Sequence, residues 1–404
     1  MYFHLSRPRI VIYSEITTRL SPTSEREGSL DVEALVDAAR ARAGAASDEP
    51  FEHLDALEVL VSSIDAEARL NFWGTRGAAE GLVASLAVQV HMRRNLERHP
   101  EIADGVIGRP VFVTGLPRTG TTLVHNLLDQ HPDVHCPHLW ELLAPAGSRD
   151  ADEHARLAAA AQAWLDDYYA VAPRLPAIHP MGARRPDECH RLLGHVFQSL
   201  IYLARYRIPS YAAWLLQHDL TDAYRSHRLQ LANITWRIPS DVVGLKCPFH
   251  MWHLSALLEV YPEGKVVILH RNPSSAVPSL CSLCAVIQAA RSDAVDKHEV
   301  GELWLAQVER AVDDLLLRRE RLPDGRILHV RYPDLVGDPL GTMHGILEFL
   351  DLPWTAPAEA AMRRWLAENP SDKHGVHAYT AEEFGLDPAD LAERFAAYCD
   401  AFGL

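Results

Sequence analysis

Two short strings in this chain have the residue types and spacing to hold an anion. The first is Gly115-Leu-Pro-Arg-Thr-Gly-Thr-Thr122. Glycines at both ends of a loop allow tight turns, and a helix starting at the second one aims unpaired N–H groups into the loop. Successive backbone N–H groups there form an anion nest. Arg118 adds a planar fork of donors that matches a phosphate. Thr119, Thr121 and Thr122 add hydroxyls, and Gly120 opens the helix. The second string is Arg271-Asn-Pro-Ser-Ser-Ala-Val-Pro-Ser279. Ser279 lies about two helical turns beyond Arg271, so the two can share a face. A guanidinium and a hydroxyl suit a second, monoester phosphate. Together the strings predict a ligand carrying two separate phosphate-type groups.

A nucleoside-triphosphate loop reads G-x-x-x-x-G-K-[ST]. Both glycines and Thr122 fit that pattern. Thr121 stands in the Lys position, and the basic residue is Arg118, inside the loop. Triphosphate chemistry also needs a strand-end carboxylate to organise Mg²⁺. The run before the second string ends in His270-Arg271 instead. The loop therefore reads as a phosphate site without a metal. A P-loop kinase or NTPase is the alternative, as is a non-catalytic nucleotide-binding scaffold.

These strings need strands behind them. Val111-Phe-Val-Thr, Val242-Val-Gly-Leu-Lys, Lys265-Val-Val-Ile-Leu-His and Ile327-Leu-His-Val-Arg-Tyr are short, β-branched runs separated by helical patterns. That order predicts an α/β fold with a central, mostly parallel sheet flanked by helices. Lys246 and Arg271 then fall at strand C-terminal ends, where open sheets bind ligands. Residues 1–105 read as an N-terminal helical region. Its first part, 1–28, is an irregular arm, and Ser29 is the expected N-cap of the first helix. Leu57, Leu60 and Ile64, then Leu82, Leu86 and Val90, recur at helical spacing. Residues 106–404 form the α/β domain, with a helical insertion at about 150–240 and a final helix over 388–402.

The chain has 404 residues with 39 Lys and Arg against 54 Asp and Glu, a net charge of −15. So acidic a surface argues against nucleic acid or an anionic membrane as partner, while a local basic pocket stays open. The six Cys form no disulfide framework and read as reduced, mostly buried thiols. No signal peptide or integral membrane segment is legible, so the expected location is cytoplasmic. Oligomeric state is not encoded in any motif. Asp187-Glu-Cys-His190 and His195 invite a metal reading, but no defined ligand spacing is present.

The two strings resemble the donor-binding motifs of sulfotransferases that use 3′-phosphoadenosine-5′-phosphosulfate (PAPS). Gly115 to Thr122 resembles their 5′-phosphosulfate loop, and Arg271 to Ser279 their 3′-phosphate motif. Leu245-Lys-Cys-Pro is similar to the strand end carrying the family's catalytic Lys. Arg331-Tyr-Pro-Asp-Leu is similar to a further family segment, with Pro333 in place of the usual Glu. Lys373-His-Gly375 resembles the C-terminal loop that closes over the donor. The likeness covers about residues 108–386 and is strongest to bacterial members with an added N-terminal helical region. It implies a P-loop-like sheet, PAPS as sulfuryl donor, PAP as product and no metal. Implied donor contacts are Arg118, Thr119, Gly120, Thr121, Thr122, Arg271, Ser279, Tyr332, Lys373, His374 and Gly375. Lys246 is the expected cation at the transferring group.

The reaction also needs a base for the acceptor hydroxyl. His250, Glu141 and His138 are the candidates. Ten aromatic residues between Trp164 and Trp236 suit either a pocket for a hydrophobic small-molecule or lipid acceptor or plain helix packing.

Overall fold

The computed structural model describes residues 29–103, 105, 107–370 and 379–404. Five parallel strands form one sheet: β1 (Arg109–Gly115), β2 (Val134–His135), β3 (Val242–Lys246), β4 (Lys265–His270) and β5 (Ile327–Arg331). Their order is β2-β3-β1-β4-β5, so β1 is central. The four strands expected from sequence are present. The fifth, β2, has two residues, too few to leave a periodic pattern.

Register carries the chemistry to one edge. Val113 pairs with Lys246, Gly115 with Leu269, and His270 with Arg331. The C-terminal ends of β1, β3, β4 and β5 therefore lie side by side.

Strand alternation explains why the sheet is covered on both faces. Phe112, Val243, Leu245, Val266 and Ile268 point into one core, shared with the N-terminal helices and the inserted helices. Val111, Val113, Val242, Val267 and Leu269 point into the other. That second core is completed by Val124, Leu127 and Leu128 of the helix Thr121–Leu128, and by Met343, Ile346 and Leu347 of the helix Pro339–Phe349.

The N-terminal helices are Val32–Ala43, Leu54–Glu67 and Phe72–Arg98. Asp31, not Ser29, caps the first, accepting from Ala34 N at 2.8 Å. A carboxylate placed three residues ahead of a free N–H is an equally good cap, and the two positions differ little in sequence. The expected final helix is two, Pro388–Arg394 and Ala396–Phe402. All six Cys are free and five are buried. Among the described residues, no helix is long and apolar enough to cross a membrane.

Candidate functional site

The first string folds as β1, a loop, and the helix Thr121–Leu128. Gly115 has φ 142° and Gly120 φ 93°. A Cβ at Gly115 would meet Leu269 O at 2.3 Å, and one at Gly120 would meet Leu335 at 2.8 Å and the Tyr332 ring at 3.2 Å. Only glycine fits either position. Arg118 also takes a left-handed φ of 70°, an uncommon conformation for a side-chain-bearing residue. Gly120 provides no side-chain cap, so the first N–H groups of the helix have no capping partner there.

The two strings meet in space. Arg118 Nε donates to Ser279 Oγ at 3.2 Å and its Nη1 to Ile178 O at 3.3 Å. Arg271 Nη1 donates to the Arg118 carbonyl at 2.8 Å, and its guanidinium lies 4.5 Å over the Tyr332 ring. Burial lowers the Arg118 pKa, and neighbouring Arg271 lowers it further. Among the described residues neither guanidinium has a carboxylate partner within ion-pair distance. Thr121 is buried at the helix start and Thr122 is exposed. Thr119 also has a structural bond. Its hydroxyl donates to Leu116 O at 2.7 Å, so it shapes the loop from inside.

Lys246 ends β3, almost fully buried, with Nζ 2.5 Å from Glu188 Oε1. The other Glu188 oxygen accepts from His190 Nδ1 at 3.0 Å. Burial pushes the Glu188 carboxyl up, but Lys246 and the His190 bond outweigh it and hold it well below the usual carboxylate range. The Glu188 charge is felt at Arg118, and half-buried His179 feels Glu188, Lys246 and Arg118 together. The phosphate-type loop and the Lys–Glu pair thus lie near one another at the C-terminal edge of the sheet.

Residues 110–356 match the sulfotransferase family model. The chain belongs to the sulfotransferase family. It is 26% identical to the omega-hydroxy-beta-dihydromenaquinone-9 sulfotransferase of Mycobacterium bovis over 75% of this chain and 77% of that protein. It is 25% identical to protein-tyrosine sulfotransferase 1 of Danio rerio over 60% of this chain and 53% of that one. The crystal structure of sulfotransferase STF9 from Mycobacterium avium matches with a TM-score of 0.83 at 28% identity, covering 94% of this chain and 98% of the other. That of STF1 from Mycobacterium tuberculosis gives 0.80 at 29%, covering 92% and 100%.

Within this sulfotransferase the base candidates separate by surroundings. His250 is fully buried, and both ring nitrogens are engaged: Nδ1 with the Tyr224 hydroxyl at 2.7 Å, Nε2 with Cys189 Sγ at 3.1 Å. Its edge packs against Phe112, and burial lowers its pKa well below the usual value. It is part of the core. Glu141 is buried too, 2.6 Å from His135 Nε2 and 3.6 Å from His138 Nδ1. Those partners, not Lys246, surround it. Glu188 was legible only as part of a rejected metal pattern. Its signal was two adjacent carboxylates, Asp187 and Glu188, just ahead of the short helix His190–Gly194. Arg191 bonds Asp187 at 3.0 Å, leaving Glu188 to Lys246. Lys373, His374 and Gly375 lie outside the described residues.

Two trios have potential metal-ligand atoms within 4.8 Å: Cys189, His227 and His250, and Glu188, His190 and Cys247. Two ligands on a tetrahedral zinc stand about 3.5 Å apart, so the 3.1 Å between Cys189 and His250 fits a direct hydrogen bond better. In the second trio Glu188 is already paired at both oxygens.

The aromatic set also divides. Phe197, Tyr202, Tyr206, Tyr211 and Tyr224 are buried in the core. Tyr211 and Tyr202 spend their hydroxyls on the carbonyls of Phe197 and Gly194, both at 2.8 Å. Trp164, Tyr168 and Tyr169 on the helix Ala151–Val171 remain half-buried. Arg191 lies 5.4 Å over Trp164, which puts that helix face beside the 187–191 segment.

Proposed function

We propose that this sulfotransferase moves a sulfuryl group from PAPS to a hydroxyl of a hydrophobic small-molecule or lipid acceptor. The observation that carries the donor assignment is the meeting of two arginines, Arg271 bonding the Arg118 carbonyl and, among the described residues, neither guanidinium ion-paired to a carboxylate, in a protein of net charge −15. Such a pair is stable when an anion completes it. The loop N–H groups and Arg118 hold the 5′-phosphosulfate. Arg271, with Tyr332 beneath it and Ser279 nearby, takes the 3′-phosphate. The name of the Mycobacterium bovis relative favours a hydroxylated lipid acceptor, and the half-buried face of Trp164, Tyr168 and Tyr169 is a suitable apolar wall. The protein works without a metal, in the cytoplasm.

Lys246 turns from Glu188 to the transferring group and stabilises the charge that builds on its oxygens. Glu188 takes the acceptor proton. The acceptor O–S bond forms as the bridging O–S bond breaks, and the electron pair leaves on the phosphate oxygen of PAP. Base duty moves from His250 and Glu141 to Glu188 because only Glu188 touches Lys246.

PAP should raise the melting temperature without added Mg²⁺, since a ligand that binds the native state alone stabilises it. Radiolabelled sulfate should pass from PAPS to members of an alcohol and phenol panel. A shift with Mg-ATP and none with millimolar PAP would overturn the donor assignment.

A further inference from the structure

We propose that His190 is the positioning residue of the transfer, the group that keeps Glu188 aimed at the acceptor once Lys246 has left it; this rests on the roles of Lys246 and Glu188 proposed above. Glu188 is held at both oxygens, by Lys246 on Oε1 at 2.5 Å and by His190 on Oε2 at 3.0 Å. Those two donors have different fates. The reaction takes Lys246 away, because the same ammonium must reach the sulfuryl oxygens. That frees Oε1, and removing the cation makes the carboxylate a stronger base at the moment a base is needed. A Glu side chain released from one partner can rotate about three bonds, and in a buried site it gains by picking up a proton. A second tether prevents both.

His190 suits that task. It is buried at the start of the short helix His190–Gly194, with its ring 6.2 Å from Phe249. Burial pushes its pKa down to about 4 against the pull of Glu188, so it is neutral at pH 7. A neutral imidazole reaches a carboxylate through an N–H, here Nδ1–H, which fixes the tautomer. A neutral donor orients the carboxylate without cancelling its charge as an ammonium does. Other ionisable groups that act on the pair include Arg118, His179, Asp187, Cys189 and Cys247 around Glu188, Arg191 and Arg205 around His190, and His250 beside both. Asp187 is paired with Arg191, so the two neighbours do not compete for Glu188.

The test uses His190→Asn, whose amide N–H replaces the one on Nδ1, and the donor-free His190→Leu and His190→Ala. Turnover against pH is followed with 2-naphthol as acceptor and, acceptor-free, as slow sulfate release from PAPS to water. His190→Leu should lower kcat tenfold or more. It should also move the acid limb of the profile upward by about one pH unit, as expected for a carboxylate losing a donor. PAP affinity should stay within twofold. His190→Asn should keep both rate and limb close to wild type, which a merely structural loss would not do. A donor-free variant with unchanged kcat and limb, or His190→Asn no better than His190→Leu, overturns the assignment. Glu188→Gln measured alongside separates the two levels. If it is active, the base reading itself falls. If it is inactive while His190→Leu behaves as wild type, only the role of His190 falls.

Discussion

The proposed donor side and the proposed base side of this site are built on opposite principles. On the donor side, one continuous loop supplies glycines, N–H groups and Arg118, and one further string supplies Arg271 and Ser279. Its charges are guanidiniums, planar forks of donors suited to phosphate. On the base side, Lys246 comes from the end of β3 and Glu188 from a segment 58 residues earlier. Behind them lies a core of histidines that burial keeps neutral. The first is a local motif with fixed charge. The second is a tertiary assembly whose charge state depends on staying folded. That contrast predicts which half fails under which stress.

Acid should strike the buried histidines, which lie behind the base side except for His125 and His270 beside the donor strings. His125, His190, His195, His227, His250 and His270 are buried. Burial pushes His125, His227 and His270 down to about 3, and His190 and His195 down to about 4. Each is neutral in the fold and takes a proton on unfolding below pH ~6.5, so their stabilisation is present above that pH and is lost as pH falls toward the folded values. Each such proton costs about 1.4 kcal/mol per pH unit. Several acting together exceed a typical stability of about 5–15 kcal/mol. The melting temperature should hold from pH 8 to 7 and fall steeply between about pH 6 and 5. A flat profile to pH 5 would mean these rings are protonated in the fold.

The next largest effect distinguishes the two buried glutamates. Glu188→Gln should lower kcat by roughly 10²–10⁴, while Glu141→Gln, away from Lys246, should lose less than tenfold. PAP binding, followed by calorimetry, should survive in both. Lys246→Ala should cost on the order of 10²–10³ in rate. It should also destabilise the fold by roughly 3 kcal/mol, because it strands a buried carboxylate. Adding Glu188→Leu to Lys246→Met should restore the melting temperature while leaving the enzyme inactive. If the single and double variants melt alike, the pair contributes nothing to stability.

The donor side should respond differently. Arg271→Ala removes a charged contact about 1.5–3 kcal/mol in strength, roughly 10- to 100-fold in PAP affinity. Saturating PAPS should recover much of the rate, since the 3′-phosphate is remote from the transferring sulfur. Unchanged affinity would place the 3′-phosphate elsewhere.

The same contrast explains what was legible in the sequence. Four of the five strands could be read because each is a β-branched run, and the loop with Arg118, Arg271, Ser279 and Lys246 was proposed from equally local patterns, a glycine spacing or a residue at a strand end. β2 could not, at two residues. Thr119 was readable as a donor but not as a loop brace, because its partner is a carbonyl three residues back. Glu188 was hidden because its proposed role comes from a contact across 58 residues of chain. His250 shows the converse. Its spacing from Lys246 is suggestive, yet the 3₁₀ turn Pro248–His253 carries it away into the core.

That last residue gives the smallest catalytic effect and the sharpest check on the comparison. His250 bridges Tyr224 and Cys189 inside a closed cluster with Phe112 and His227. His250→Ala leaves the Tyr224 hydroxyl and the Cys189 thiol without that partner, and it opens a cavity beneath β1. An unmet buried donor or acceptor costs about 1–3 kcal/mol, so the melting temperature should fall by several degrees. Turnover per folded molecule, measured well below that temperature, should stay within about threefold of wild type. Its acid limb should not move, because the ring is already neutral and does not touch Glu188. Loss of rate beyond tenfold with PAP binding intact would return base duty to His250 and erase the distinction between a core that supports the site and a segment that does its chemistry.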